Sequence, residues 1–178
     1  PDTYLHVIRD GLKLHEINHC IVTHGHCDHF YATDLMMKAR PYAQSGSAAP
    51  FHVYGTKRIG ELYKRMRDVD DDCENLDDCV KLSEIYPFQP FSVLNYRVTP
   101  LRAAHDPAEC CLIFLIEDEA GKTLLYGNDT AYFPEETWEQ LRGRRLDLVS
   151  LDCTMGIMGD GATHMGWNGD VRTKERLE

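Results

Sequence analysis

A chain of 178 residues, 43% hydrophobic and 27% charged, holds enough apolar material for one packed domain and too little length for two comfortable ones. Its formal charge of −10 argues against a nucleic-acid partner, because phosphate contacts are supplied by Lys and Arg. No run approaches the roughly eighteen apolar residues of a membrane span, which sets a transmembrane reading aside.

Taken in order, residues 3–12 read as a short amphipathic helix, and the apolar residues around Ile17–Thr23 as a strand. Phe30–Ala39 is helical in composition. Arg40–Pro50, rich in small residues, Pro and Gly, reads as a loop. Phe51–Gly55 is a short strand, and Thr56 can cap a helix running to about Arg67. Asp68–Cys79 is crowded with acids but lacks the central Gly of a calcium loop, so a solvated loop is expected there. Strands follow over Phe91–Arg97, Val98–Ala103, Cys111–Glu117 and Lys122–Tyr126, with Gly121 turning a hairpin between the last two. Pro134–Arg142 is a short helix with Pro near its first turn, and Leu146–Leu151 is a buried strand. A Gly- and Met-rich loop over Met155–Gly161 leads to Thr163-His164, and the last dozen residues are helical. Strands interleaved with helices indicate an α/β layered domain.

Seven cysteines, odd in number and without C-x-x-C spacing, fit free thiols in a reducing cytoplasm. No secretory signal opens the chain. Pro1-Asp2-Thr3 carries neither an initiator Met nor a leading strand, so the chain is expected to begin partway through a domain.

Chemistry concentrates at the ends of strands. Residues 24–29 read His-Gly-His-Cys-Asp-His directly after Ile21-Val22-Thr23. His24, His26, Asp28 and His29 thus gather imidazole and carboxylate donors of the kind that zinc and its first-row neighbours prefer. Alternation sends His24 and His26 the same way, while Asp28 and His29 can face a second ion; Cys27 should point away from that ion. His105, Asp129 and Asp152 each sit where a later strand hands over to a loop, and such loops carry function.

With those residues in place, the chain resembles the metallo-β-lactamase superfamily, whose hallmark is H-x-H-x-D-H, a later single His, a single Asp after an apolar strand, and a final His. The resemblance implies an α/β fold of αββα metallo-β-lactamase-like sandwich type. Residues 1–178 would form a single, partial metallo-hydrolase domain lacking its first strands and C-terminal end. It implies two divalent metal ions, Zn2+ or Mn2+, with His24, His26 and His105 on one, Asp28 and His29 on the other, and Asp129 between them. No His follows His164, so the second position is expected to lack one ligand.

The branch is read from departures. β-Lactamases of this superfamily use Cys where Asp129 stands, and glyoxalase II-like thioesterases have Thr-Pro-Gly-His-Thr where this chain has Ala103-Ala104-His105-Asp106-Pro107. Leu151-Asp152-Cys153-Thr154, followed by Ala162-Thr163-His164-Met165, is similar to the extra-His arrangement of the tRNA 3′-processing endonucleases and the phosphoribosyl cyclic phosphate phosphodiesterase. The expectation is a cytoplasmic, metal-dependent phosphodiesterase, acting on ordinary or cyclic phosphodiesters, with Asp28 and His164 as catalytic residues. His164 would protonate the leaving oxygen, and Asp152 would orient an imidazole. The expected partner is a small-molecule phosphodiester rather than RNA or a membrane, with room for a homodimer. The rivals are a lactone or thioester hydrolase of the same fold, and a catalytically idle metal-binding module.

Overall fold

The computed structural model describes residues 3–43, 49–70 and 72–178. Residues 44–48 of the expected 40–50 loop, and residue 71 of the acidic run, lie outside the described residues. The chain divides into two compact units, Pro1–Ile85 and Tyr86–Glu178, each with its own sheet.

The first unit opens with α1 (Thr3–Asp10) and a single 3₁₀ turn, then strands β1 (His19–Ile21), β2 (Phe51–Gly55) and β3 (Val80–Glu84). All three are parallel, in the order β1-β2-β3, so their carboxyl ends share one edge. Parallel neighbours need crossovers. A 3₁₀ segment over Ala32–Lys38 lies in the first crossover, while α2 (Lys57–Asp70) and α3 (Leu76–Cys79) supply the second. The packed face of the sheet buries Val22, Val53 and Val80 with Leu35, Met36, Ile59, Tyr63 and Leu76. At the exit of β2 only glycine fits, because a Cβ on Gly55 would lie 2.5 Å from Ile59 Cγ1.

The second unit is a five-stranded sheet in sequence order: β4 (Phe91–Val93), β5 (Tyr96–Arg102), β6 (Leu112–Glu117), β7 (Thr123–Gly127) and β8 (Leu148–Leu151). The first three pairings are antiparallel and the last is parallel. Strands β5, β7 and β8 therefore run the same way and release the chain at a common edge. Helices α4 (Glu135–Leu141) and α5 (Trp167–Leu177) complete the unit. Its core joins Leu101, Ile113, Leu115 and Leu125 to Phe133, Trp138, Leu141 and Met165.

The α/β expectation holds, as two sheets each with its own helices. The helical expectation for Phe30–Ala39 holds as a 3₁₀ segment over Ala32–Lys38, while two other local expectations need correction. The acidic stretch is not simply a solvated loop: α2 continues to Asp70, and α3 begins with Asp77 and Asp78 in its first turn, where the helix dipole favours acids. Tyr63 and Arg67 of α2 both donate to the Asp77 carboxylate, at 2.7 and 3.1 Å. The second correction moves the boundary between the 91–97 and 98–103 strands to Leu94-Asn95, a two-residue hairpin loop closing the Val93–Tyr96 pair.

Leu94 holds φ at +53°, while Asn95 has no positive φ, the pattern of a type II′ turn that favours glycine first. Leu94 is 72% exposed, so little packing compensates the backbone. Replacing Leu94 by Gly should stabilise the unit by about 1 kcal/mol, the scale of left-handed strain in a non-glycine residue. A lower denaturant midpoint for the variant would show that the leucine side chain contributes more than its backbone costs.

Candidate functional site

In the first unit the site residues leave the sheet at the end of β1. Val22 N–H still donates to Tyr54 O at 2.8 Å, after which the chain turns away from the ladder. His29 and Phe30 N–H both return to His26 O, at 3.0 and 2.8 Å, closing a tight turn around the motif. His24 is buried, and its Nδ1 shares a 3.0 Å hydrogen bond with Thr23 Oγ1. When Nδ1–H donates to that hydroxyl, Nε2 presents a lone pair, the tautomer a metal ligand needs; the hydroxyl can equally donate to Nδ1.

His24 Nε2 and His26 Nδ1 are 3.0 Å apart. Two zinc–nitrogen bonds of about 2.0–2.1 Å at a tetrahedral angle place their nitrogens roughly 3.3 Å apart, so this pair fits a shared ion with little movement. The His29 ring lies 4.3 Å from that of His24, and Asp28 Oδ2 lies 3.5 Å from His29 Nε2. Slight burial pushes the Asp28 carboxyl up, but its own backbone N–H and the rings of His29, His26 and His24 together hold it below the ordinary value. Cys27 is exposed and, like the other six cysteines, a free thiol.

In the second unit His105, Asp129 and Asp152 follow β5, β7 and β8, the three strands whose carboxyl ends share an edge. His105 Nδ1 lies 3.1 Å from Thr163 O. A carbonyl only accepts, so Nδ1 carries the proton and the lone pair lies on Nε2. Asp129 takes φ of +52°, a left-handed conformation that Asp tolerates better than most residues.

Asp152 is the deepest acid of the cluster, with a side chain 1% exposed. Its Oδ2 accepts from Thr130 N–H at 2.9 Å and from His164 Nδ1–H at 2.7 Å, and its Oδ1 accepts from Thr154 N–H at 2.8 Å. Burial raises the carboxyl pKa, yet the bonds from Thr154, His164 and Thr130 outweigh it and hold the group below its ordinary value. The His164 ring stands 4.8 Å from that of His105, and its Nδ1 is 3.8 Å from Asp129 Oδ1. Donor atoms of Asp129, Asp152 and His164 all lie within 4.8 Å of one another. With three donors already on its two oxygens, Asp152 is placed to aim His164 rather than to bind a cation.

The loop carrying His164 is stitched at both ends. Gly161 N–H donates to His164 O at 2.9 Å, and Met165 N–H donates to Thr130 O at 3.1 Å. Asp160 Oδ1 accepts from Gly166 and Gly169 N–H, at 3.0 and 2.8 Å, at the start of α5. Thr130, Thr154 and Asp160 escape a sequence reading because their bonds are made by or to backbone groups and carry no motif. The one available signal is an Asp ahead of a predicted helix, although the N-cap itself is Gly166 and Asp160 reaches its amide from six residues earlier.

A family model described as a beta-lactamase superfamily domain matches residues 3–178. Among solved structures, the chain is similar to a diphosphatase from the PhnP family, at 20% identity and a TM-score of 0.73, over 99% of this chain and 62% of that one. It is similar to the metallo-beta-lactamase fold protein YhfI from Bacillus subtilis, at 18% and 0.72, over 97% and 66%. It is also similar to the short form of human tRNase Z, at 16% and 0.71, over 98% and 74%. Such identities speak to fold. The chain spans less than two thirds of the length of the first two structures. No curated protein matches it in sequence.

The Gly166 and Gly169 amides are the first cause of the lowered Asp160 carboxyl pKa, so its folded value lies below its unfolded one. Its contribution to stability is then complete above the ordinary Asp pKa of about 3.9 and fades as pH falls through the folded value. Replacing Asp160 by Ala should cost about 1 kcal/mol at neutral pH, the usual loss for a helix cap, and progressively less in acid. A difference independent of pH in urea unfolding would contradict this role.

Proposed function

The chain belongs to the metallo-β-lactamase superfamily, and from that membership we propose that it is a metal-dependent phosphodiesterase. The observation that carries this reading is the buried Asp152 holding His164 by a 2.7 Å bond, with Asp129 and His105 beside that imidazole. A hydrolase whose leaving group departs easily has little need of a positioned acid. A phosphodiester with an alkoxide leaving group does need one.

In this proposal His24, His26, Asp28 and His29 of the first unit, and His105 and Asp129 of the second, would be the metal ligands. Bound there, Zn2+ or Mn2+ would lower the pKa of a water and offset charge on the phosphoryl oxygens. Asp152 keeps Nδ1–H of His164 engaged, so the protonated ring presents Nε2–H. As the water oxygen adds to phosphorus and the ester P–O bond breaks, that proton passes to the departing oxygen. Asp152 then faces a neutral imidazole, which is reprotonated from solvent, the acceptor of the proton lost by the attacking water. A small phosphodiester is the preferred substrate class, because the net charge of −10 gives little attraction for a long polyanion.

Chelation should abolish phosphodiester turnover. His164→Ala should slow hydrolysis of an alkyl ester by about 10²–10⁴-fold, the range for a lost general acid, with metal content unchanged. A nitrophenyl ester needs no proton on departure and should lose far less. Equal losses on both esters, or loss of metal from the variant, would contradict the assignment. Faster turnover of lactones or thioesters than of any phosphodiester would move the substrate class.

A further inference from the structure

Thr130 is fully buried, and each of its polar groups ends on or beside a candidate site residue. Its N–H donates to Asp152 Oδ2 at 2.9 Å, on the oxygen that also takes His164. Its carbonyl accepts from Met165 N–H at 3.1 Å, one residue past His164. Its hydroxyl accepts from Ala104 N–H at 2.9 Å, one residue before His105, and donates to Ala131 O at 2.8 Å. Asp129 precedes it directly. A second tie, Ala131 N–H to Ala104 O at 2.7 Å, doubles the link between the same two loops.

The two backbone bonds would survive any side-chain replacement. The hydroxyl is different. Among the described residues it accepts the amide that precedes His105, and β5 and β7 are not hydrogen-bonded neighbours, since β6 lies between them. Beyond the sheet edge, the direct bonds between the His105 and Asp129 loops are that of the Thr130 hydroxyl and the Ala131–Ala104 bond, beside an indirect link through Thr163 and Met165.

We infer that Thr130 is a positioning residue whose hydroxyl sets the spacing of His105 and Asp129, and so how tightly those two residues bind metal. The inference rests on the proposed metal-dependent reading. Side chains that orient ligands from behind typically change metal affinity by about 10–100-fold when removed.

The test compares Thr130→Ser with Thr130→Ala, which differ only in the hydroxyl and lose the same methyl. Zn2+ and Mn2+ affinities are measured by competition with a chromophoric chelator, and the ring-proton signals of His105 and His164 by NMR on metal-free protein. Ser should stay close to the natural protein. Ala should bind metal about 10–100-fold more weakly, with shifted His105 signals. Thr130→Val, of similar volume, should behave as Ala does if the hydroxyl rather than the cavity matters. Equal affinities for Ser and Ala, or weak binding by both, would overturn the inference while leaving the metal-dependent reading intact. A natural protein that binds neither ion would overturn both. If Ala or Val fails to fold, the surviving variant decides against Ser, and a Ser variant that binds as weakly as it does is the contrary result.

Discussion

A carboxylate with a side chain 1% exposed is the constraint on which the second unit depends. Removing a charge from water costs several kcal/mol unless donors replace the lost hydration, and Asp152 is ionised because three donors do so. Those donors come from three places in the chain: the turn after β7, the turn after β8 and the loop before α5. Satisfying one buried acid therefore draws together the segments that carry Asp129, Asp152 and His164. The same contacts that neutralise the cost of burial also aim an imidazole.

In the first unit a parallel sheet plays the corresponding part. Three strands pointing one way leave their carboxyl ends at one edge, where a ligand-binding loop is freest of ladder hydrogen bonds. The motif departs from β1 within three residues of its last ladder position, and the turn back to His26 O compresses His24, His26 and His29 into contact. The fold explains why so short a peptide can present several imidazoles at once: a strand end orients the first two, and a tight turn returns the third.

Much of this was readable before any coordinates. His24–His29 announced itself because a run of donors of one chemical class rarely serves packing, and β2 and β7 were visible as apolar runs against Gly and polar punctuation. Strand β3 was not visible. Val80-Lys81-Leu82-Ser83-Glu84 follows an acidic run and alternates with charges, and its pairing with β2 is a tertiary contact. The β4–β5 turn was missed because Leu94 is no turn former by type, only by the conformation that its neighbours impose. Asp152 and His164 could be suspected from residue type, but their bond spans twelve positions along the chain and only the fold makes it. Thr130 gave no chemical signal, since its work is done through backbone groups and one hydroxyl.

The central claim is that the His24–His29 turn holds a divalent ion, and that His164, held by Asp152, does not. Anomalous diffraction from crystals grown with Zn2+ or Mn2+, collected at the metal edge, tests it most directly. The account predicts a peak bonded to His24 and His26, with His164 outside the coordination sphere. No peak at His24 and His26, or one coordinated by His164 and Asp152, would contradict it.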